Sequence, residues 1–253
     1  MNQNNTTRFS NRVEDYVKYR PGYPTEIISY LQEEYGLTPD KTIADVGAGT
    51  GISAELFLKA GYDVTGVEPN KEMRDKSVEL LGGYSSFRAV NGTAEQTTLG
   101  DNSVDAIIAG QAFHWFDEEK SKAKFKRILR PGGNVVLIWN ERKITSPFEL
   151  EYEALILKHA RDYRKVDHRN IDVKHIARFF QPAPFQLRVF QNEQVFDFDG
   201  LLGRLLSSSY MPGRGENGHK EMTDDLQKLF DRYEDNGVII IGYDTKVYAG
   251  RLA

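Results

Sequence analysis

Four groups of residues in this sequence are of a type and spacing that could do chemistry. The first is a run of glycines at alternate positions, Gly47, Gly49 and Gly51, preceded by Asp45 and enclosing Ala48. Glycine lets the backbone turn sharply and lets a ligand come close, because no Cβ intervenes. A helix starting just after such a turn aims unpaired N–H groups into the gap. The second is Glu68, which ends an apolar run; an ionised carboxylate only accepts hydrogen bonds and suits a pair of ribose hydroxyls. The third is His114, near Gln111 and beside Trp115, whose intrinsic pKa suits proton transfer. The fourth is Trp139, Asn140 and Arg142, which emerge where another apolar run ends. Together they outline a cradle for a ribose-bearing cofactor beside a pocket for a second molecule.

The identity of that cofactor turns on spacing. A dinucleotide fingerprint reads G-x-G-x-x-G, whereas the turn here reads G-x-G-x-G, which disfavours a nicotinamide dinucleotide. Glu68 does not discriminate, since NAD enzymes also end their second strand in an acid.

These residues need elements to hold them. The stretch from Thr42 to Gly51, continued by an amphipathic run over 52–60, reads as strand, tight turn and helix. A second strand over 62–68 follows, then a helix begun by Pro69 and Asn70, in which Met73 either packs on the cofactor's base or joins the core. A strand–helix–strand unit of this length builds a parallel sheet with right-handed crossovers. Third, fourth and fifth strands are expected over 85–90, 104–110 and 134–140, with a helix capped by Asp117 running to about Leu129. The end of the fourth strand lies beside the first, at the switch point where open sheets bind ligands, which places Gln111, His114 and Trp115 there. Helices are expected over 25–35, around Tyr152 to Tyr163, over 173–180 and around Met222 to Tyr233. A sixth strand spans 185–196, and an apolar stretch over 237–248 is broken by a turn at Tyr243-Asp244.

Several of these stretches resemble one known family. From Asp45 to Gly51 the chain resembles the first motif of the class I S-adenosylmethionine-dependent methyltransferases, in which the glycine turn lies against the aminoacyl part of the cofactor. Asn91-Gly92-Thr93-Ala94-Glu95 resembles that family's adenine loop, which implies contacts from Thr93, the Ala94 backbone and the Glu95 side chain, although many relatives open this loop with Asp. Tyr19-Arg20-Pro21-Gly22-Tyr23-Pro24 looks like the lid segment of the type 11 small-molecule group. The likeness makes Tyr16, Tyr19 and Arg20 lid contacts, with Arg20 facing a carboxylate of the cofactor or of an acidic substrate. Gln111-Ala112-Phe113-His114-Trp115-Phe116-Asp117 is similar to the group's motif after the fourth strand, including relatives of trans-aconitate methyltransferase. That implies Gln111 at the methionine end and His114 and Trp115 between cofactor and substrate, while Phe116 reads as hydrophobic closure of the helix behind. Ser207-Ser208-Ser209 is similar to a serine-rich end near the substrate, which adds Ser209.

The resemblance implies a Rossmann-like α/β fold: a seven-stranded, mostly parallel sheet with helices on both faces and the last strand antiparallel between the fifth and sixth. It implies one methyltransferase domain over 1–253, made of a lid (1–24), a cofactor core (41–140), a helical insertion over the substrate site (145–184) and C-terminal strands and helices (185–253). The implied activity is transfer of a methyl group from S-adenosylmethionine to a small molecule, leaving S-adenosylhomocysteine. A carboxylate acceptor is already a nucleophile at neutral pH and needs no base; an amine, phenol or carbon acid would recruit His114. A protein that binds the cofactor without turnover is the alternative of a different class.

Composition narrows the rest. The chain has 253 residues, a formal net charge of −4 and no cysteine. That length buries a real core, and the absence of thiols excludes disulfides, thiolate metal sites and a cysteine nucleophile. His159, His168 and His175 lack metal-ligand spacing, so no metal site is expected. Residues 1–7 are polar, so no signal peptide is expected, and no apolar run reaches the length of a membrane span. The mildly acidic balance argues against nucleic acid. The expected setting is the cytoplasm and the expected partner a small methyl acceptor, with the chain a monomer or homodimer.

Overall fold

A computed structural model describes residues 13–161 and 173–252, apart from the side chains of residues 13, 15 and 16. Seven strands form one sheet: β1 (Thr42–Val46), β2 (Asp63–Val67), β3 (Phe87–Val90), β4 (Val104–Gly110), β5 (Leu129–Arg142), β6 (Phe185–Phe196) and β7 (Ile239–Gly250). Their order is β3-β2-β1-β4-β5-β7-β6. The first five are mutually parallel, and β7 runs antiparallel between β5 and β6. This is the Rossmann-like arrangement expected.

The helices are α1 (Val13–Tyr19), α2 (Glu26–Tyr35), α3 (Ile52–Lys59), α4 (Lys71–Leu81), α5 (Glu118–Ile128), α6 (Pro147–His159), α7 (Val173–Phe180), α8 (Phe198–Leu206) and α9 (His219–Tyr233). The central strands carry apolar side chains on both faces, as buried parallel strands must. Period-two alternation then divides the core. Ile43, Ala106, Ile108, Val136 and Ile138 pack on one side with α2 and α3. Ala44, Val46, Ile107, Val135 and Leu137 pack on the other with Phe125 and Phe179. A third cluster joins Tyr152 and Ile156 of α6, Leu201 and Leu205 of α8 and Leu226 of α9 to Ile241 and Tyr243 of β7. It stands over the carboxyl end of β5, where the sheet opens.

Two local expectations change. The turn expected at Tyr243-Asp244 is mid-strand: Tyr243 pairs with Arg142 and Asn192, and Asp244 with Glu141 and Gln191. Pairing on both edges outweighs the turn preference of an aspartate, which is satisfied here by Gln191 Nε2 donating at 3.1 Å. The segment Arg130-Pro131-Gly132-Gly133 belongs to β5 as a bulge: Val104 pairs with Leu129 and Ala106 with Asn134, while Gly132 takes a φ of +82°.

Candidate functional site

The glycine turn connects β1 to α3. Gly47 has a φ of +74°, and a Cβ there would lie 2.6 Å from the Ala112 Cβ, so only glycine fits. Gly49 has a φ of +57° but nothing within 4 Å of its missing Cβ, which leaves bare backbone facing open space. Beside it the Thr50 hydroxyl is buried without a hydrogen-bond partner among the described residues.

Two carboxylates brace this turn. Glu68 accepts the Gly49 N–H at 2.9 Å and the Asn70 N–H at 2.8 Å. Burial pushes its pKa up, and those two bonds with the Arg74 charge oppose the rise. Asp45, only 1% exposed, accepts the Ser53 hydroxyl at 2.6 Å. Burial pushes its carboxyl up to about 7, against the bonds from Ser53 and the Ala54 N–H, and the charge of Glu68 adds to the rise.

At the end of β4, Gln111 adopts a φ of +54°. For a non-glycine residue this conformation costs about 1 kcal/mol. It is held by the Gln111 N–H donating to Ile138 O at 2.9 Å and by Nε2 donating to Asn140 O at 3.3 Å. Its Oε1 is buried and accepts nothing among the described residues. Backbone strain supporting an unsatisfied acceptor is characteristic of a ligand contact.

These features open into one cleft. Gly47, Ala48, Gly49 and Gln111 line one end. Arg20, Pro21 and Tyr23 cover it, while Arg142, Tyr152, Arg204 and Tyr243 line the far end. Asn140 fastens the cover: its Nδ2 donates to Gly22 O at 3.0 Å, and its Oδ1 accepts the Thr245 hydroxyl at 2.5 Å and Asn192 Nδ2 at 3.1 Å. Arg20 Nη2 donates to Ser207 O at 3.1 Å. Arg142 pairs with Glu153 and lies over the Tyr152 ring, 5.0 Å from its centroid.

Of the sequence-derived site residues, Arg20, Gly47, Ala48, Gly49, Gln111, Asn140 and Arg142 meet on this cleft. Gly51, Asp45 and Glu68 adjoin the turn without lining the cleft itself. Pro69 precedes α4, and Met73, 5% exposed, packs under that helix. Trp139 is in the core, edge-on to Phe113 and Tyr248. His114 and Trp115 sit on a 3₁₀ turn with ring centroids 4.5 Å apart and do not line the cleft. Thr93 bridges to Gln96, and Ala94 is buried. Glu95 accepts the Asp117 N–H at 2.9 Å; burial raises its pKa, but that bond and the Thr93 hydroxyl bring it below the usual carboxylate value. Tyr19 packs its ring on Gly203, where a Cβ would lie 2.1 Å from it. Ser209 stays off the cleft while Ser208 lines it, and the Tyr16 side chain and His168 fall outside the described residues. Thr50, Tyr152, Arg204, Tyr210 and Tyr243 are lining residues that sequence reasoning did not assign. A single arginine inside the apolar run Leu201-Leu202-Gly203-Arg204-Leu205-Leu206 was the available signal for one of them. Among the described residues no cluster of His, Asp or Glu could hold a metal ion, and no helix is long and apolar enough to cross a membrane.

Comparison with known proteins matches residues 44–137 to the type 11 methyltransferase domain family. An uncharacterised methyltransferase of Mycobacterium tuberculosis is 39% identical over 134 residues, which are 53% of this chain and 52% of that protein. One from Schizosaccharomyces pombe is 31% identical over 151 residues, 59% of each chain. The chain thus spans little more than half the length of the relatives it matches. Among solved structures, an Anaeromyxobacter dehalogenans protein proposed to be a type II methyltransferase superposes with a TM-score of 0.67 at 21% identity, over 92% of this chain and 98% of that one. Phosphoethanolamine N-methyltransferase 2 of Haemonchus contortus, solved with S-adenosylhomocysteine, gives a TM-score of 0.58 at 14% identity, over 98% of this chain and 58% of that one.

Proposed function

We propose that this chain, a class I S-adenosylmethionine-dependent methyltransferase by its fold and its central segment, methylates a small acidic acceptor, with a carboxylate the leading candidate. The observation that carries the reading is Gln111, strained and holding out a buried, unsatisfied acceptor beside the glycine turn. An acceptor there suits the ammonium of an amino-acid moiety, the bare backbone at Gly49 leaves room for it, and the Thr50 hydroxyl offers a further polar contact. The residues present therefore fit S-adenosylmethionine, which supplies an electrophilic methyl group on a sulfonium. Glu68 would accept the ribose hydroxyls: each of its oxygens takes one backbone N–H and retains a lone pair.

The protein's contribution is alignment and exclusion of water. Pro21 to Tyr23, pinned by Asn140, act as a lid, and α6 caps the acceptor end through Tyr152 and Ile156. Arg20 and Arg142 orient an acidic acceptor. Among the described residues no histidine lines the cleft, which favours a carboxylate, whose reaction requires no proton transfer.

Calorimetric titration with S-adenosylhomocysteine, alongside NAD, tests the cofactor assignment; binding of NAD alone would overturn it. A panel of organic acids, amines and phenols tests the acceptor class, and turnover of amines or phenols without acids would defeat the carboxylate version. His114→Gln is expected to keep most of the turnover.

A further inference from the structure

Arg204 carries a charge that no carboxylate among the described residues pairs with. It lies on α8, whose neighbouring residues Leu201, Leu205 and Leu206 are buried in the third hydrophobic cluster. Its Nε donates to the Tyr243 hydroxyl at 3.2 Å, and its Nη1 reaches the Ser207 and Ser208 hydroxyls at 3.5 Å, the outer limit of a hydrogen bond. All three partners are neutral. The Tyr243 hydroxyl donates in turn to Gln194 Oε1 at 2.9 Å, so its orientation is fixed. Nor does Tyr152 offer a phenolate: burial pushes its hydroxyl up to about 12. Among the described residues Arg204 has no carboxylate partner, in contrast to Arg142, which pairs with Glu153.

A guanidinium does not escape by losing its proton, since it stays charged across the accessible pH range. Holding it part-buried among neutral groups, without a counter-charge from the described residues, is unfavourable. Such a residue persists when the compensating charge arrives with a ligand, and the side of Arg204 that is not enclosed lines the cleft. Its planar fork suits the two oxygens of a carboxylate. The surfaces beside it, Ile156, Leu205 and Tyr210, are apolar or aromatic.

We propose that Arg204 is the acceptor-binding residue that fixes specificity, taking the carboxylate of a small organic acid whose apolar body lies against Ile156, Leu205 and Tyr210. This rests on the methyl-transfer reading for the identity of the second ligand, but it names the residue and the charge that select it. A carboxylate held by both oxygens is positioned rather than activated, so the role is binding.

The test titrates benzoate and hexanoate, and their neutral counterparts benzamide and hexanamide, into the full chain saturated with S-adenosylhomocysteine. The wild type is expected to bind the acids and to discriminate against the amides. Arg204→Gln should weaken acid binding by roughly 30-fold or more, with S-adenosylhomocysteine affinity changed less than twofold and amide binding unaffected. Arg204→Lys, which keeps the charge but loses the fork, should retain part of the acid affinity; if Arg204→Gln does not fold, this variant decides, and unchanged acid binding would overturn the proposal. Equal binding of acids and amides, or binding of neither, would also overturn it. Because S-adenosylhomocysteine binding is measured in the same samples, its loss would strike the cofactor reading, whereas its retention without acid binding would remove the Arg204 assignment alone.

Discussion

Asp45 makes the stability of this fold depend on pH in an unusual direction. Its carboxyl is 1% exposed and held at about 7, against 3.8 for a solvated aspartate. In the interval between those values the folded chain binds a proton that the unfolded chain has released. Stability therefore falls as pH rises through that interval, the reverse of a salt-bridged carboxylate. At about 1.4 kcal/mol per tenfold change in proton affinity, the full penalty approaches about 4 kcal/mol above neutral pH, and about 2 kcal/mol of it accrues between pH 5 and pH 7. Asp45→Asn retains an oxygen to accept the Ser53 hydroxyl and removes the ionisation. Urea unfolding of both proteins at pH 5, 6, 7 and 8 reports the difference directly, because every other titrating group is shared. The wild type should lose about 2 kcal/mol more than the variant from pH 5 to pH 7, and the variant should be the more stable at pH 8. Glu68→Gln, which removes a neighbouring negative charge, should shift the wild-type transition to lower pH. Stability curves that stay parallel across the range would refute the reasoning: Asp45 would then ionise as easily folded as unfolded.

Three further outcomes follow from the site. Gln111→Gly should raise unfolding stability by up to about 1 kcal/mol, through relief of the positive φ, while weakening S-adenosylhomocysteine about tenfold; a melting curve and a calorimetric titration separate the two. Gly49→Ala should cost about 1 kcal/mol for its backbone conformation yet abolish measurable cofactor binding, whereas Gly47→Ala, driven against Ala112 Cβ, should lower stability by a further 1–3 kcal/mol or so. Asn140→Ala frees the Gly22 carbonyl and leaves the Thr245 hydroxyl without its acceptor; it should cost about 1–3 kcal/mol and increase proteolytic cleavage near Gly22.

The sheet was legible because its signal is redundant. Each central strand is apolar on both faces, the crossovers from β1 to β2, β2 to β3 and β4 to β5 carry helix-period runs, and the glycine turn marks the first switch from strand to helix. The exceptions have physical causes. Asp244 reads as a turn residue, but a strand paired on both edges absorbs an aspartate when a neighbouring side chain donates to it. Glu95, expected at the adenine, also accepts the Asp117 N–H ahead of α5, a bond that no motif registers.

The site divides along the same line. Its glycine-turn end is built mostly from consecutive residues, which spacing alone brings together, and Gln111 joins them because β4 lies beside β1. Its far end is assembled from α6, α8, β5 and β7, which meet only through tertiary packing. Even so, one error there was avoidable. Side chains alternate across a strand, so Asn140 and Arg142 must share a face of β5 and Trp139 must take the other, where it packs on Phe113 and Tyr248. Alternation also puts Tyr243 beside Arg142, its cross-strand partner, and thereby brings β7 into the pocket once the sheet order is known. Arg204 is a different case. In sequence, a lone cation among leucines looks like a solvated edge of an amphipathic helix, and only the surrounding groups show that its charge is enclosed beside the cleft and uncompensated.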